Sequence, residues 1–308
     1  MNNFRTKVTR GFGWLPDYPD FRDYTEATEE IQTLLQPVPP AASGKTRTTS
    51  AKRPGLAAAK LPAAVDLRPW CSPIEDQGML GSCTAHAGVG AIEYYERKAF
   101  GRHTDASRLF LYKTTRNLMK VNGDTGAYLR TTMGAMVLFG VPPEDYWPYT
   151  ATENSFDREP GAFTYAYAAN FQAIKYFRHD PPNTDPVKLL AGIKKYLAKG
   201  HPAMFGFTVY NSIEQAEQTG RIPYPSAKEK IEGGHAVLAV GYDDNMKIKN
   251  QHSRASTTGA LLIRNSWGIA WGEEGYGWLP YEYVLKGLAD DFWSILKKEW
   301  IDTGEFGE

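Results

Sequence analysis

Apolar residues change their spacing about halfway along the chain. From Cys83 to about Lys98 they recur at helical intervals, and Gly101 follows as a helix terminator. The segment 128–139, YLRTTMGAMVLF, has the same periodicity and is stopped by Gly140. We therefore predict that the first half of the globular region is mostly α-helical.

Short apolar runs separated by polar or Gly-containing turns dominate the second half. PAMFGFTVY, HAVLAVGYD and ALLIRNSWG are typical of strands in an antiparallel sheet, and a helix capped by Asp185 precedes them. An α-rich stretch followed by a β-rich stretch predicts an α+β fold with a cleft between the halves. We place the helical half at about residues 83–150 and the β half at about 151–308.

The first sixty residues differ from the rest in composition. Residues 11–35 combine prolines with spaced aromatic residues, so we expect them to pack along the globular region in an extended form. Residues 36–60 are rich in Pro, Ala, Ser and Thr, carry five basic and no acidic side chains, and are predicted to be a flexible, cleavable linker. The chain thus divides into an arm with its linker at 1–60 and a globular domain at 61–308.

Charge and cysteine content narrow the classes of function. The 308 residues carry 35 Lys plus Arg and 35 Asp plus Glu, so no net positive field favours nucleic acid as a substrate or a membrane as a partner. No segment has the apolar character of a signal peptide or a membrane span, which predicts a protein that is cytoplasmic or exported without a conventional signal peptide. Two cysteines exclude a disulfide framework and are expected to be reduced, and the histidines lack metal-ligand spacing, so no metal or cofactor is predicted.

Cys83 follows Gly-Ser in the stretch QGMLGSC and begins a predicted helix. The unpaired N–H groups and the positive dipole at a helix N-terminus favour a thiolate, which would make this residue a nucleophile. Free cysteine is also among the most buried residue types, so a small packed thiol is an equal alternative. His86 lies one helical turn further on, and we expect it to face the helix packing rather than act as a second base.

Two later strings contain the partners that a nucleophilic cysteine needs. His235 precedes an apolar run in GGHAVLAVGYD, and Asn265 ends another before SWGIAWGEEGYG. The nucleophile needs a base, and the base needs a third group to fix its ring, a role that an amide oxygen can fill. Gln77, six residues before the cysteine, offers a side-chain N–H to an oxyanion. Each residue alone is more simply structural, but their joint occurrence in this order favours catalysis.

Together these segments resemble the papain-like cysteine peptidases. AVDLRPWCSPIEDQGMLGSC is similar to the start of the mature enzyme in that family, and VPPEDYWPY, GGHAVLAVGY and IRNSWGIAWGEEGYG are similar to its later landmarks in the same order. His235 lies 235 − 83 = 152 residues after Cys83, near the roughly 130–150 typical of the family. Leu80 and Thr84 replace the second cysteine and the aromatic residue usual around the nucleophile, and GSCTA with GWLPDYPDFRDY resembles the bacterial, xylellain-like subgroup.

The resemblance implies a fold, an activity and roles for five residues. The fold would have two subdomains, an α-rich left half and a right half like an antiparallel β-barrel, with the cleft between them. The protein would be a cysteine endopeptidase that hydrolyses peptide or protein substrates through a thioester acyl-enzyme. Cys83 would be the nucleophile, His235 the base and Asn265 the orienter of its ring. Gln77 would donate to the oxyanion, and Trp267 would shield the Asn-His hydrogen bond from water.

The resemblance also implies a set of substrate-binding residues. Gly126 and Ala127 would offer backbone hydrogen bonds to an extended peptide, in the manner of strand addition. The main specificity pocket would be walled by residues from three segments, namely Tyr128, Leu129, Gly206 and Gly233. Gly234 would also bind the substrate. Asp290 would lie near the pocket floor and allow Arg as well as apolar substrate side chains, with a capping or surface role as the alternative.

The arm and the overall function each leave alternatives. Relatives carry an inhibitory prosegment before the mature start, so we expect residues near 11–35 to dock across or beside the cleft as an intramolecular inhibitor, with 36–60 as the processing region. A permanent arm that braces the fold is the alternative. For the whole protein, the alternatives are a non-catalytic peptide-binding member and an enzyme that transfers the acyl group to an amine.

Overall fold

A computed structural model describes residues 10–35, 61–152, 155–172 and 175–296. The predicted linker 36–60 and the last residues of the predicted β half lie outside these ranges. The α-helices are α1 (Glu29–Leu35), α2 (Cys83–Phe100), α3 (Arg108–Met119), α4 (Leu129–Leu138), α5 (Ala162–Ala168), α6 (Pro186–Ala198) and α7 (Tyr281–Leu285). The β-strands are β1 (Trp14–Leu15), β2 (Ala64–Asp66), β3 (Ala127–Tyr128), β4 (Lys175–Arg178), β5 (Ala203–Tyr210), β6 (Ile231–Lys249), β7 (Ser256–Arg264), β8 (Tyr276–Pro280) and β9 (Ala289–Leu296).

The β half is one antiparallel sheet in the order β4-β9-β5-β6-β7-β8, with β2 added to β6. This confirms the predicted α+β class. The expectation of a barrel-like half is corrected, because in the described part of the chain β4 and β8 remain separate edges and the sheet stays open. Strand β2 comes from residues before the helical half, so the two halves are not consecutive segments of chain.

Helix α2 connects the helical half to the sheet. It begins at Cys83 and ends at Phe100, where Gly101 takes a left-handed conformation with φ of 70°, as the sequence predicts. Most of its residues are buried, because α3 and α4 cover one side and β6 the other. No helix in the described ranges combines the length and apolar character needed to cross a membrane.

Three further helices can be compared with the predictions made from local sequence signals. The predicted helix at 128–139 is α4, Leu129–Leu138. Asp185 caps α6, since its Oδ1 accepts the N–H groups of Val187 and Lys188 at 3.0 Å. Helix α3 was not predicted from the sequence, although Ser107 is its N-cap.

The N-terminal arm lies in the cleft between the halves. Strand β1 pairs in parallel with β3, so that Trp14 is opposite Ala127 and Leu15 is opposite Tyr128. The arm then crosses to the sheet, where Tyr24 O accepts the Arg178 N–H at 2.8 Å, and ends in α1. Residues 10–35 are therefore packed on the globular domain, as the aromatic and proline pattern predicts.

Two helical glycines provide a test of how tightly α2 is packed. A Cβ on Gly90 would lie 3.0 Å from Arg264 Nε, whereas one on Gly134 in α4 would meet nothing within 4 Å. Replacing a helical glycine with alanine stabilises a helix by about 1 kcal/mol, and overpacking costs about 1–3 kcal/mol. Gly134→Ala should therefore raise the melting temperature, and Gly90→Ala should leave it unchanged or lower it, as measured by calorimetry. Equal gains from both substitutions would contradict the packing described here.

Candidate active site

Cys83 lies at the first position of α2, fully buried where the helix meets β6. Its Sγ accepts the backbone N–H of Ala236 at 3.3 Å. This contact brings residues 153 positions apart to one point, and His235 directly precedes the residue that binds the sulfur. Strand register holds the histidine there, since His235 pairs with Phe207 of β5.

The His235 ring is fixed by Asn265, which follows β7. Asn265 Oδ1 accepts the backbone N–H of Ser266 at 2.8 Å, which identifies that atom as the oxygen. The His235 Nε2 lies 2.8 Å from the same oxygen and must therefore carry the proton. The Nδ1 atom of His235 is then an acceptor, and it has no hydrogen-bond partner. Trp267 covers the pair, with its ring stacked on the imidazole at 4.5 Å between centroids.

Gln77 is held in one orientation beside the cysteine. Its Oε1 accepts the Ser266 hydroxyl at 2.6 Å, so the amide nitrogen must face the other way. That Nε2 donates to Leu80 O at 2.7 Å and to Gly11 O at 3.1 Å. A carbonyl oxygen of the arm therefore occupies the position on Gln77 that an oxyanion would take.

The glycines of the arm sequence GFGW allow this close approach. A Cβ on Gly13 would lie 1.8 Å from Gly81 O, and one on Gly11 would lie 2.4 Å from Met79 O. The Gly13 carbonyl accepts the Ala127 N–H at 2.7 Å. No larger residue fits at either arm position without movement of the backbone.

The Trp14 side chain fills a pocket beside the cysteine. A Cβ on Gly206 would lie 1.9 Å from Trp14 Cε2, and one on Gly234 would lie 2.6 Å from the Trp14 carbonyl oxygen. Trp14 Nε1 donates to Asp291 Oδ2 at 3.2 Å. The indole is thus held by a glycine-lined wall and by one buried carboxylate, and it is 7% exposed.

Charged groups anchor the arm on both sides of the pocket. Arg10 forms an ion pair with Glu217 and places its guanidinium 4.6 Å from the Trp267 ring centroid. Beyond the pocket, Arg130 Nε donates to the Asp23 carboxylate at 2.7 Å. These contacts span the cleft from one end to the other.

Burial beneath the arm sets the protonation of the central pair. Burial raises the pKa of Cys83 to about 11, and the N–H groups of Ala236 and Gly13 that face the sulfur only partly oppose the shift. Burial also lowers the pKa of His235 to about 4, against the opposing effect of Asn265, and the nearby Arg10 charge lowers it further. Near neutral pH the arm-covered site therefore holds a thiol and a neutral imidazole.

The structure brings together most of the residues singled out from the sequence. Cys83, His235, Asn265, Gln77 and Trp267 form one cluster, and the arm contacts Gly126, Ala127, Tyr128, Gly206, Gly233 and Gly234. Leu129 is fully buried at the start of α4, and Asp290 is largely exposed.

The carboxylate that reaches the pocket is Asp291, which was not predicted. Between β5 and β9 the register shifts from Met204 opposite Trp293 to Gly206 opposite Asp290, leaving one extra residue on β9. Asp291 takes the left-handed conformation at φ of 65°. It is buried and paired with Arg178 Nη1 at 3.1 Å.

Among the described residues, Cys71 and the substituted positions around Cys83 supply no side-chain hydrogen bond to the cluster. Both cysteines are free, and the buried Cys71 thiol lies 3.7 Å from Leu67 O. Leu80 and Thr84, which flank Cys83 in sequence, are buried as well. Within the described ranges, no group of three or more His, Cys, Asp or Glu side chains could hold a metal ion.

Comparison with known proteins places this chain in a family. Residues 61–289 match the model of the papain family cysteine proteases. The crystal structure of xylellain, a cysteine protease from Xylella fastidiosa, is 35% identical and superposes with a TM-score of 0.70, covering 94% of this chain and 97% of that one.

Two relatives are similar over the globular domain. An uncharacterized peptidase C1-like protein of Acanthamoeba polyphaga mimivirus is 37% identical over 226 residues, which are 71% of this chain and 68% of that protein. Cathepsin K of Gallus gallus is 28% identical over 221 residues, 70% of this chain and 58% of its own length. The alignment with cathepsin K thus spans little more than half of that relative.

The protonation of the covered site can be measured by alkylation. In full-length Cys71→Ala protein, the rate of Cys83 alkylation by iodoacetamide should rise with pH up to about 11, because only the thiolate reacts. Trp14→Ala should move the midpoint of this profile to lower pH, because opening the pocket admits water to the sulfur. Tyr18→Ala is the matched control, since Tyr18 lies on the same arm but is 89% exposed. Equal midpoints in the Trp14 variant and its parent would show that the arm does not set the protonation of Cys83.

Proposed function

The chain belongs to the papain family of cysteine proteases and is a peptide hydrolase, and on this premise we propose that Cys83, His235 and Asn265 are its catalytic triad. The observation that carries the proposal is the buried hydrogen bond between His235 Nε2 and Asn265 Oδ1 at 2.8 Å, next to a cysteine at a helix N-terminus. A base with one nitrogen fixed and the other free beside a thiol is the arrangement that nucleophilic catalysis requires.

In the proposed first half-reaction, the Cys83 sulfur forms a thioester with the substrate. His235 Nδ1 takes the thiol proton, and the thiolate attacks the carbonyl carbon of the scissile peptide bond. The tetrahedral intermediate collapses when the imidazolium returns this proton to the leaving amine. Throughout, Asn265 Oδ1 accepts a hydrogen bond from the Nε2–H group of His235. This bond stabilises the charged ring without adding a charge of its own.

In the second half-reaction, water hydrolyses the thioester. The neutral His235 removes a proton from water, which attacks the acyl carbon, and the thiolate leaves as the acid product forms. The imidazolium then returns this proton to the thiolate, which regenerates the starting thiol and neutral imidazole.

Gln77 and the Cys83 backbone N–H are proposed to stabilise the oxyanion. The Gly11 carbonyl, 3.1 Å from Gln77 Nε2, supports this role because it shows that a peptide carbonyl fits against this donor. The Ser266 hydroxyl keeps the Gln77 amide from turning its oxygen toward the substrate.

The arm also indicates how a substrate would lie in the cleft. The Ala127 N–H, which now donates to the Gly13 carbonyl, would bind the backbone of an extended peptide. Residues that contact the arm, together with the adjacent Leu129, form the proposed binding surface, namely Gly126, Ala127, Tyr128, Leu129, Gly206, Gly233 and Gly234. At the pocket floor we now favour Asp291 over the exposed Asp290, because Asp291 binds the Trp14 indole.

We further propose that residues 1–60 keep the catalytic domain, 61–308, latent. The arm fills the pocket and the position on Gln77, so a substrate cannot enter while it is bound. The sulfur faces the Gly13 N–H instead of a carbonyl carbon, which gives the nucleophile nothing to attack. The neutral protonation state of the pair adds a chemical restraint to this steric one.

The nucleophile can be tested with the two cysteines as a matched pair. Cys83→Ala should abolish hydrolysis of a fluorogenic peptide, because no other residue can form the thioester. Cys71→Ala should retain wild-type kcat, since Cys71 is buried away from the cleft in a contact with Leu67. Mass spectrometry should find one alkylated thiol in the inhibited wild type, at Cys83. Activity that survives in Cys83→Ala would refute the proposed mechanism.

Latency can be tested with a substitution that adds a single methyl group to the arm. Gly13→Ala should raise kcat/KM of the full-length chain, because the new Cβ would lie 1.8 Å from Gly81 O and must displace the arm. Gly161→Ala is the control, since a Cβ there meets nothing within 4 Å. A bracing arm predicts the opposite result, a lower melting temperature with no gain in activity.

A further inference from the structure

His86 is a buried histidine that the proposed mechanism does not use. It lies on α2 one turn after Cys83 and is 6% exposed. Burial, with the Arg108 and Arg264 charges nearby, lowers the pKa of His86 to about 3, so the ring is neutral. A neutral ring has one donor and one acceptor nitrogen, and its surroundings decide which is which.

The contacts of His86 determine its tautomer. Nδ1 lies 3.1 Å from the Ser82 backbone carbonyl, which can only accept, so Nδ1 carries the proton. The Nε2 atom is therefore an acceptor. It is buried and has no partner in the protein.

Asn265 presents the complementary unpaired group. Its Oδ1 is bound to His235 and Ser266, which leaves its Nδ2 as a buried donor without a protein partner. His86 and Asn265 line the same narrow cavity, which has about 10 Å³ open to the centre of a water molecule. This volume is close to the minimum of about 10–15 Å³ that one water requires. The charged residues that also line the cavity are Glu75, Glu93, Arg108 and Arg264.

We propose that His86 is a positioning residue for Asn265, acting through one buried water that accepts from Asn265 Nδ2 and donates to His86 Nε2. This inference rests on the proposed triad. The water would fix the amide so that its oxygen, not its NH₂ group, faces His235. A flipped amide would place two donors against each other when the imidazolium forms.

The other nitrogen of His86 is linked to the oxyanion loop. Tyr149 donates its O–H to Gln77 O at 2.9 Å, so the Ser82 hydroxyl must donate to Tyr149 across their 2.7 Å contact. Ser82 Oγ in turn lies 3.3 Å from His86 Nδ1. The Nδ1 atom of His86 is therefore linked to Gln77 through Ser82 and Tyr149, and its Nε2 atom is linked to Asn265 through the proposed water. Mutation can separate the two links.

Two substitutions of His86 by amide residues separate the role of its Nδ1 atom from that of its Nε2 atom. An asparagine at 86 keeps a donor near the Nδ1 position but does not reach the water, whereas a glutamine reaches the Nε2 position with an acceptor oxygen. His86→Asn should lower kcat about tenfold with little change in KM, the effect of about one hydrogen bond. His86→Gln should restore kcat to within about twofold of wild type, given the same scale.

The pH profile of kcat/KM distinguishes positioning from general packing. His235 must be neutral to act as the base, so its pKa sets the acid limb of the profile. Asn265 raises this pKa, so a misplaced amide should let it fall and move the acid limb to lower pH in His86→Asn. In His86→Gln the limb should stay in place. All variants are assayed in the preparation in which wild type turns over the peptide, and thermal unfolding checks that they are folded. Identical limbs in wild type and a folded His86→Asn would overturn the proposal.

The role of His86 can also be tested by a measurement that does not depend on activity, and therefore does not depend on the proposed triad. A high-resolution crystal structure of the full-length wild-type chain should show one water within hydrogen-bond distance of both His86 Nε2 and Asn265 Nδ2. A cavity without that water overturns the role of His86 even if the enzyme is active. Peptide hydrolysis that survives in Cys83→Ala, with the water in place, would instead refute the proposed catalytic triad.

Discussion

The active site depends on the contact between the first residue of α2 and the residue that follows His235 in β6. The Ala236 N–H donates to Cys83 Sγ at 3.3 Å, and this bond joins the helical half to the sheet. Both partners of this bond are held in place by their surroundings, because α2 is buried along most of its length and β6 lies between β5 and β7. Since dense interiors tolerate little displacement, the site's geometry is as rigid as the core around it.

Burial has two opposite consequences at this contact. It gives His235 and Asn265 a dry hydrogen bond of 2.8 Å, which favours a fixed ring. It also disfavours the charges that catalysis needs, as the shifted pKa values of Cys83 and His235 show. The arm contributes to the second effect, because it covers the site and its Arg10 charge lowers the pKa of His235 further, although the Gly13 N–H favours the thiolate. Binding of the arm therefore disfavours the charged forms of Cys83 and His235, and formation of these charges disfavours binding of the arm.

The sequence predicted the features that local periodicity and residue order determine. Helix α2, the strand preceding Asn265 and the association of Cys83 with His235 follow from spacing and from a family pattern. The Trp14 pocket could not be predicted, because its walls come from segments far apart in sequence and its occupant from the arm. Asp291 was missed for a definite physical reason: strand residues alternate sides, and the extra residue on β9 changes which carboxylate points inward. The aromatic pattern of GFGWLPDY signalled packing but not the surface on which it would pack.

The parallel pairing of β1 with β3 has a consequence for how the enzyme responds to concentration. The arm belongs to the same chain as the cleft, so its rebinding is unimolecular and its local concentration does not depend on the concentration of the protein. Dilution does not weaken such a contact, and a competing peptide must exceed that local concentration to enter. Cutting the tether would make the same contact bimolecular, so that dilution alone would then release the arm.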